Sequence, residues 1–154
     1  MGAMQQKDIE ALIANARTER LQNSRQLTLG DLIRRLEALP LASDRWGEPM
    51  PEKKVIFDFC DFAPHWLDSW RGSYAELSIV PTDDYGERPT AEAFLAMLRA
   101  AVGQTFQGYK GGDYVMGADT PVWVSRHGEN SYTGVVGARD AGYEIVIDTA
   151  WCEF

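Results

Sequence analysis

Long apolar runs are missing from this 154-residue chain; stretches such as Val55-Ile56-Phe57 fall far short of the roughly 20 residues a membrane helix needs. No charged start leads into an apolar segment either, so neither a secretory signal nor a membrane partner is expected. Cysteine is scarce. Cys60 and Cys152 stand far apart, in neither a CxxC nor a metal-ligand spacing, which excludes a disulfide framework. Cys60, between Phe59 and Phe62, reads as a buried apolar thiol, and a reduced, cytoplasmic protein is the simplest expectation. Histidine is equally scarce, so a general-base histidine has to be His65 or His127. Basic residues are few as well: 15 Lys and Arg against 23 Asp and Glu give a net charge of −8. The deficit concentrates in residues 44–92, with five basic and eleven acidic groups. Without a basic stripe to displace counterions from phosphates, direct binding of nucleic acid is not expected. An acidic face either serves solubility or meets a basic partner.

What is present is an ordinary globular composition, 45% apolar and 25% charged, rich in Trp, Tyr and Phe. The length suits one domain that buries about two-thirds of its unfolded surface. Residues 1–3 read as an expression remnant ahead of a start at Met4. Residues 4–154 then form one α+β domain, with a helical lead-in over 4–40 and a sheet-and-helix core over 54–154. Ile9, Leu12, Ile13 and Ala16 share one face of a helix from about Gln6 to Asn23. Thr28 caps a second helix, with Asp31 at the positive end of its dipole, an apolar stripe of Leu29, Leu32, Ile33 and Leu36, and a stop at Pro40. Thr90 caps a third, which carries Phe94, Leu95, Met97, Leu98, Ala101 and Val102 and ends at Gly103.

Strands are predicted at Lys54–Phe59 and Ala75–Val80, the latter ended by Pro81, with a loop or helical turn over Phe62–Tyr74. A three-stranded meander follows at Pro121–Ser125, Tyr132–Ala138 and Tyr143–Trp151, with turns at His127–Asn130 and Arg139–Gly142. The last strand alternates Tyr143, Ile145, Ile147, Thr149 and Trp151 against Glu144, Val146, Asp148 and Ala150, a pattern for one buried side. The expected fold is α+β: an antiparallel sheet of about five strands with helices packed on one face and an N-terminal helical pair.

Three constellations can carry chemistry. Gly108-Tyr109-Lys110-Gly111-Gly112-Asp113-Tyr114 places three glycines around a lysine, which suits either an anion held by backbone N–H groups or a tight turn before a strand. It is neither a Walker loop nor a dinucleotide fingerprint. Asp58, Asp61, His65 and Asp68 offer metal-type ligands or turn caps; no metal or other cofactor is assigned. Trp70-Arg71-Gly72-Ser73-Tyr74 presents an arginine that either clasps a phosphate or pins its loop to a nearby carboxylate. A small anionic ligand would find Arg71, Tyr74, Tyr109, Lys110, Gly111 and Gly112. A protein partner would find Trp66 and Trp70, with exposed members of the Trp46–Trp70 region as anchors. Ser125, His127 and Asp140 lack the strained nucleophile elbow of a triad, so the balance leans away from an enzyme.

The order TLGDLIRRLEALP, VIFDF, LDSWRGSYAELSI, TAEAFLAMLRAAVGQTFQGYKGGDYVM and TPVWVSRHGENSYTGVVG resembles a group of small uncharacterised proteins of phage and prophage genomes. The resemblance covers roughly residues 28–150 and is most specific at Asp68–Tyr74 and Phe106–Gly112. It implies a genomic context and a host-cell cytoplasm, and no mechanism. By analogy with small phage accessory proteins, it implies non-catalytic binding to a host protein, including counter-defence inhibition. The rival expectation is a small-molecule or nucleotide binder, or an enzyme, using the Arg71 and Lys110 loops. A homo-oligomer is compatible with either.

Overall fold

The computed structural model describes residues 5–9, 11–12, 25–50, 52–59, 61–69, 76–107, 113–125 and 132–152. Residues 6–9 and 11–12 are helical, yet Ile9 and Leu12 stay exposed; Ile13 and Ala16 lie outside the described residues. Helix α1 (Leu29–Glu37) opens on a capping box: the Asp31 N–H donates to Thr28 Oγ1 and the Thr28 N–H to Asp31 Oδ2, both at 3.2 Å. Burial disfavours charge on Asp31, but hydrogen bonds from Thr28 and from the Arg34 guanidinium outweigh it and hold the carboxyl below its usual range. Thr28→Ala is expected to cost about 1 kcal/mol, read as a lower denaturant midpoint with an unchanged slope. Leu29, Leu32 and Leu36 are fully buried and Ile33 packs beside them. Helix α2 (Ala91–Ala101) starts where the Ala93 N–H donates to Thr90 Oγ1 at 3.1 Å, and buries Phe94, Leu95, Leu98 and Ala101. Gly103, at φ +81°, turns the chain out of it, a conformation that suits a residue without Cβ.

The described strands are β1 (Lys54–Phe57), β2 (Ala63–Ser69), β3 (Leu77–Thr82), β4 (Thr105–Gln107), β5 (Asp113–Val115), β6 (Val122–Val124), β7 (Thr133–Asp140) and β8 (Glu144–Trp151). Six form one sheet in the order β1-β8-β7-β6-β3-β2, and β4 pairs with β5. This overturns the expected antiparallel sheet of about five strands with helices on one face. Two junctions are parallel, β1 on β8 with Val55 opposite Ile145, and β3 on β6 with Ile79 opposite Val124. The sheet is mixed, dominates the fold and curls nearly into a barrel. Its edge strands meet at one end, where the Phe57 N–H donates to Phe62 O at 3.0 Å. Helix α2 lies against both edge strands and against α1.

The corrections have physical reasons. Lys54–Phe57 and Leu77–Thr82 are not partners, because β1 is claimed by the last strand of the described chain and β3 by β2 and β6. The expected loop over Phe62–Tyr74 holds strand β2 at Ala63–Ser69, despite its proline, aspartate and serine. Its partner β3 runs on through Pro81, since pairing with β6 has ended at Ile79 and the missing N–H breaks no bond there. The meander β6-β7-β8 is present, with its second turn tightened by Gly142 at φ +95°. The His127–Asn130 turn and Cys60 lie outside the described residues.

The main core joins Val55 and Phe57 of β1, Leu77 and Ile79 of β3, Val122 and Val124 of β6, Val135 of β7 and Ile145 and Ile147 of β8 to the buried faces of both helices. Burial on one side only is not what the sheet shows. Val146 is buried opposite its neighbours, and Trp123 and Cys152 form a second cluster with Tyr132 and Val136. There the chains approach so closely that a Cβ on Gly134 would stand 2.5 Å from Cys152 Sγ.

Candidate functional site

Strand β2 is an end of the six-stranded order. Its pairing with β3 runs Asp68 to Ser78, Leu67 to Ile79 and Trp66 to Val80, then jumps to Pro64 opposite Pro81. His65 is the extra residue of that bulge, which bends the strand and re-aims the side chains around it. Leu67 packs on the main core, so Trp66 and Asp68, two residues apart, project outward. The Trp66 side chain is 57% exposed, with the His65 ring 5.7 Å away. His65 Nδ1 lies 3.8 Å from Glu87 Oε2.

Along the described residues of β2, β3 and the turn after β3, exposed charge has one sign. Asp61, Asp68, Asp83, Asp84 and Glu87 are exposed, and residues 61–69 and 76–87 contain no Lys or Arg. The next basic residue, Arg88, is buried. It stacks on the Tyr85 ring at 3.7 Å, donates to Asp61 O at 3.1 Å and lies 3.7 Å from Glu144 Oε2. Its cation is therefore held inside the turn that follows β3. A second exposed indole, Trp46 at 70%, stands on the loop over residues 42–50 under the Arg45 guanidinium. Asp44 Oδ1 holds that loop by accepting from the Trp46 and Glu48 N–H groups, both at 2.9 Å.

Two of the other carboxylate candidates have structural partners. Asp58 accepts from the Thr149 N–H at 2.9 Å and from its hydroxyl at 2.6 Å. Asp68 Oδ1 accepts from the Ser69 N–H. Among the described residues no three His, Cys, Asp or Glu side chains converge as a metal site. The imagined Ser125/His127/Asp140 triad is not assembled. Ser125 Oγ contacts Ser78 Oγ at one end of β7, whereas Asp140 ends the strand, roughly 23 Å away at about 3.3 Å per residue. His127 lies outside the described residues.

Trp70, Arg71 and Tyr74, in the connection from β2 to β3, and Tyr109, Lys110, Gly111 and Gly112, in the connection from β4 to β5, also lie outside the described residues. Of the partner-binding candidates, Trp66 is thus the one whose surroundings are described. Sequence reasoning missed that Trp66 stands on an edge strand. It also missed a half-buried ion pair, Lys53 Nζ to Asp140 Oδ1 at 2.8 Å, between residues 87 positions apart. The carboxylate of Glu76, accepting from Trp123 Nε1–H at 2.8 Å, was unforeseen too. Trp66, an aromatic residue favoured in strands, was the one signal for the strand. Comparison with protein-family models, with curated proteins and with solved structures returns no match.

Proposed function

We propose that this protein acts without catalysis, by binding a protein partner through the outer edge of β2, with Trp66 as its anchor. The observation that carries the reading is a large indole held outward on a sheet edge. Exposed aromatic surface at an edge invites pairing, and aromatic anchors dominate the energetics of interfaces. Asp58, Asp68 and Ser125, among the residues that could have carried chemistry, bond within the fold, which suits a scaffold that presents a surface. The resemblance to phage and prophage proteins extends the reading to a host factor, with counter-defence inhibition as the physiological role.

The test is affinity capture from host lysate with the intact chain and with Trp66→Ala, together with thermal melts of both. Because Trp66 is mostly outside the core, the variant should melt within a few degrees of the parent while losing about tenfold or more in partner affinity. Capture that survives undiminished in a folded Trp66→Ala variant removes Trp66 as the anchor.

A further inference from the structure

Resting on that reading of the β2 edge, we infer that its occupant is a basic, extended segment of the partner, added to the sheet as a seventh strand beside β2. Every second residue of an edge strand turns its N–H and C=O away from its one neighbour. Between His65 and Asp68, no backbone hydrogen bond among the described residues reaches β2 from the side away from β3. The opposite edge, β1, lies beside β2 but bonds to its backbone at Phe62, ahead of that stretch, and β4 and α2 also lie near the strand. Among the described residues, that length is left unpaired and offers a template for an incoming strand.

Charge selects the occupant. Asp68 stands on the strand itself, two residues from Trp66, with Asp61 ahead of the strand. Asp83, Asp84 and Glu87 follow β3, whose Thr82 pairs with Ala63 at the start of β2. No exposed cation within residues 61–69 or 76–87 offsets them. A second copy presenting the same edge would set carboxylate against carboxylate, which disfavours a dimer through this strand. A segment alternating Arg or Lys with apolar residues satisfies all three features: its backbone pairs with β2, its cations face the carboxylates, and a guanidinium stacks on the Trp66 indole.

The test uses the full chain and labelled peptides followed by fluorescence anisotropy. One peptide alternates arginine and valine, the second alternates glutamate and valine, and the third is the arginine peptide with alternate backbone amides methylated. The arginine peptide should bind, weaken with added salt, and shift tryptophan emission in the parent but not in Trp66→Ala, while the glutamate peptide should not bind. Asp68→Lys, and independently Asp83→Lys, should weaken binding about tenfold, and the methylated peptide should bind at least as poorly. Equal binding by the arginine and glutamate peptides overturns the proposal, as does binding untouched by both lysine variants. A methylated peptide that binds as tightly as its parent reduces the contact to surface charge and overturns strand addition. Sedimentation showing a dimer that Asp68→Lys strengthens identifies a second copy as the occupant, which also overturns it. If the peptides fail while Trp66→Ala still abolishes capture from lysate, partner binding stands and the basic strand falls.

Discussion

Asp140→Ala is expected to destabilise the fold by about 1–3 kcal/mol, the range for leaving a buried donor unpaired, because the lysine of this ion pair is buried while its carboxylate is partly open to water. The Lys53 side chain has no exposed surface, and its ammonium donates to Asp140 at 2.8 Å. Deleting the carboxylate leaves a buried cation facing an emptied space. The same Oδ1 accepts from the Gly142 N–H at 3.1 Å, so the hairpin between β7 and β8 loosens as well. Urea unfolding should show a much lower midpoint. The double variant Lys53→Met/Asp140→Asn should recover most of the loss, because an apolar chain of similar length does not have to be desolvated as an ion. A single Asp140→Ala variant within about 0.5 kcal/mol of the parent would show that the pair contributes nothing.

This pair also sets a pH dependence. The hydrogen bond from Lys53 outweighs the opposing effect of burial, and the Gly142 N–H and the lysine charge add to it. Together they hold the Asp140 carboxyl below its usual range. A group whose folded pKa is depressed contributes stability that is complete above its unfolded value, about pH 4, and is lost as pH falls through the folded value. Acid unfolding of the parent should therefore steepen below about pH 4, and Asp140→Asn should flatten that limb of the profile.

Trp123→Ala is expected to cost about 3–5 kcal/mol, the usual range for truncating a buried aromatic. Val122 and Val124 point into the main core and Trp123 points the other way, yet all three are buried. The indole meets the Tyr132 ring edge-on at 6.4 Å, and Tyr132 meets Trp151 at 6.2 Å. Its Nε1–H donates to the buried Glu76 carboxylate. Truncation opens a cavity on the second face of the sheet and removes that donor. Trp123→Phe should cost less, since most of the packed surface remains. A loss below about 1 kcal/mol for the alanine variant, read from denaturant midpoints, would show that the second face is not a packed core.

Local chemistry made part of this fold legible. Thr28 with Asp31, and Thr90 with Gly103, mark helix ends because capping is settled within a few residues, and the structure has both. Turn-forming residues made the β6-β7-β8 order legible for the same reason. The parallel junctions left no such mark. β1 finds β8 across some 90 positions, and no turn residue announces a partner that far away. The run Ile145-Val146-Ile147, buried throughout, was the available hint that both faces are covered. Strand β2 hid behind Pro64, Asp68 and Ser69, all poor strand formers, and pairing with β3 overrides their preference. Trp66 was readable as an anchor by its type. Its place at an unpaired edge was not, because an edge is defined by what the rest of the sheet does.

The junction of β1 with β8 has a consequence for how the chain acquires its structure. During synthesis, residues 54–57 emerge well before residues 144–151, so β1 waits without its lateral neighbour until almost the whole described chain has left the ribosome. Long-range pairing of this kind closes a large loop before it returns any stabilisation, and it slows folding. In that interval α1, α2 and the β2–β3 pair can form from local contacts, leaving Val55 and Phe57 uncovered. Chains halted before residue 144 should therefore be the aggregation-prone species, and chaperones should hold this protein late in synthesis.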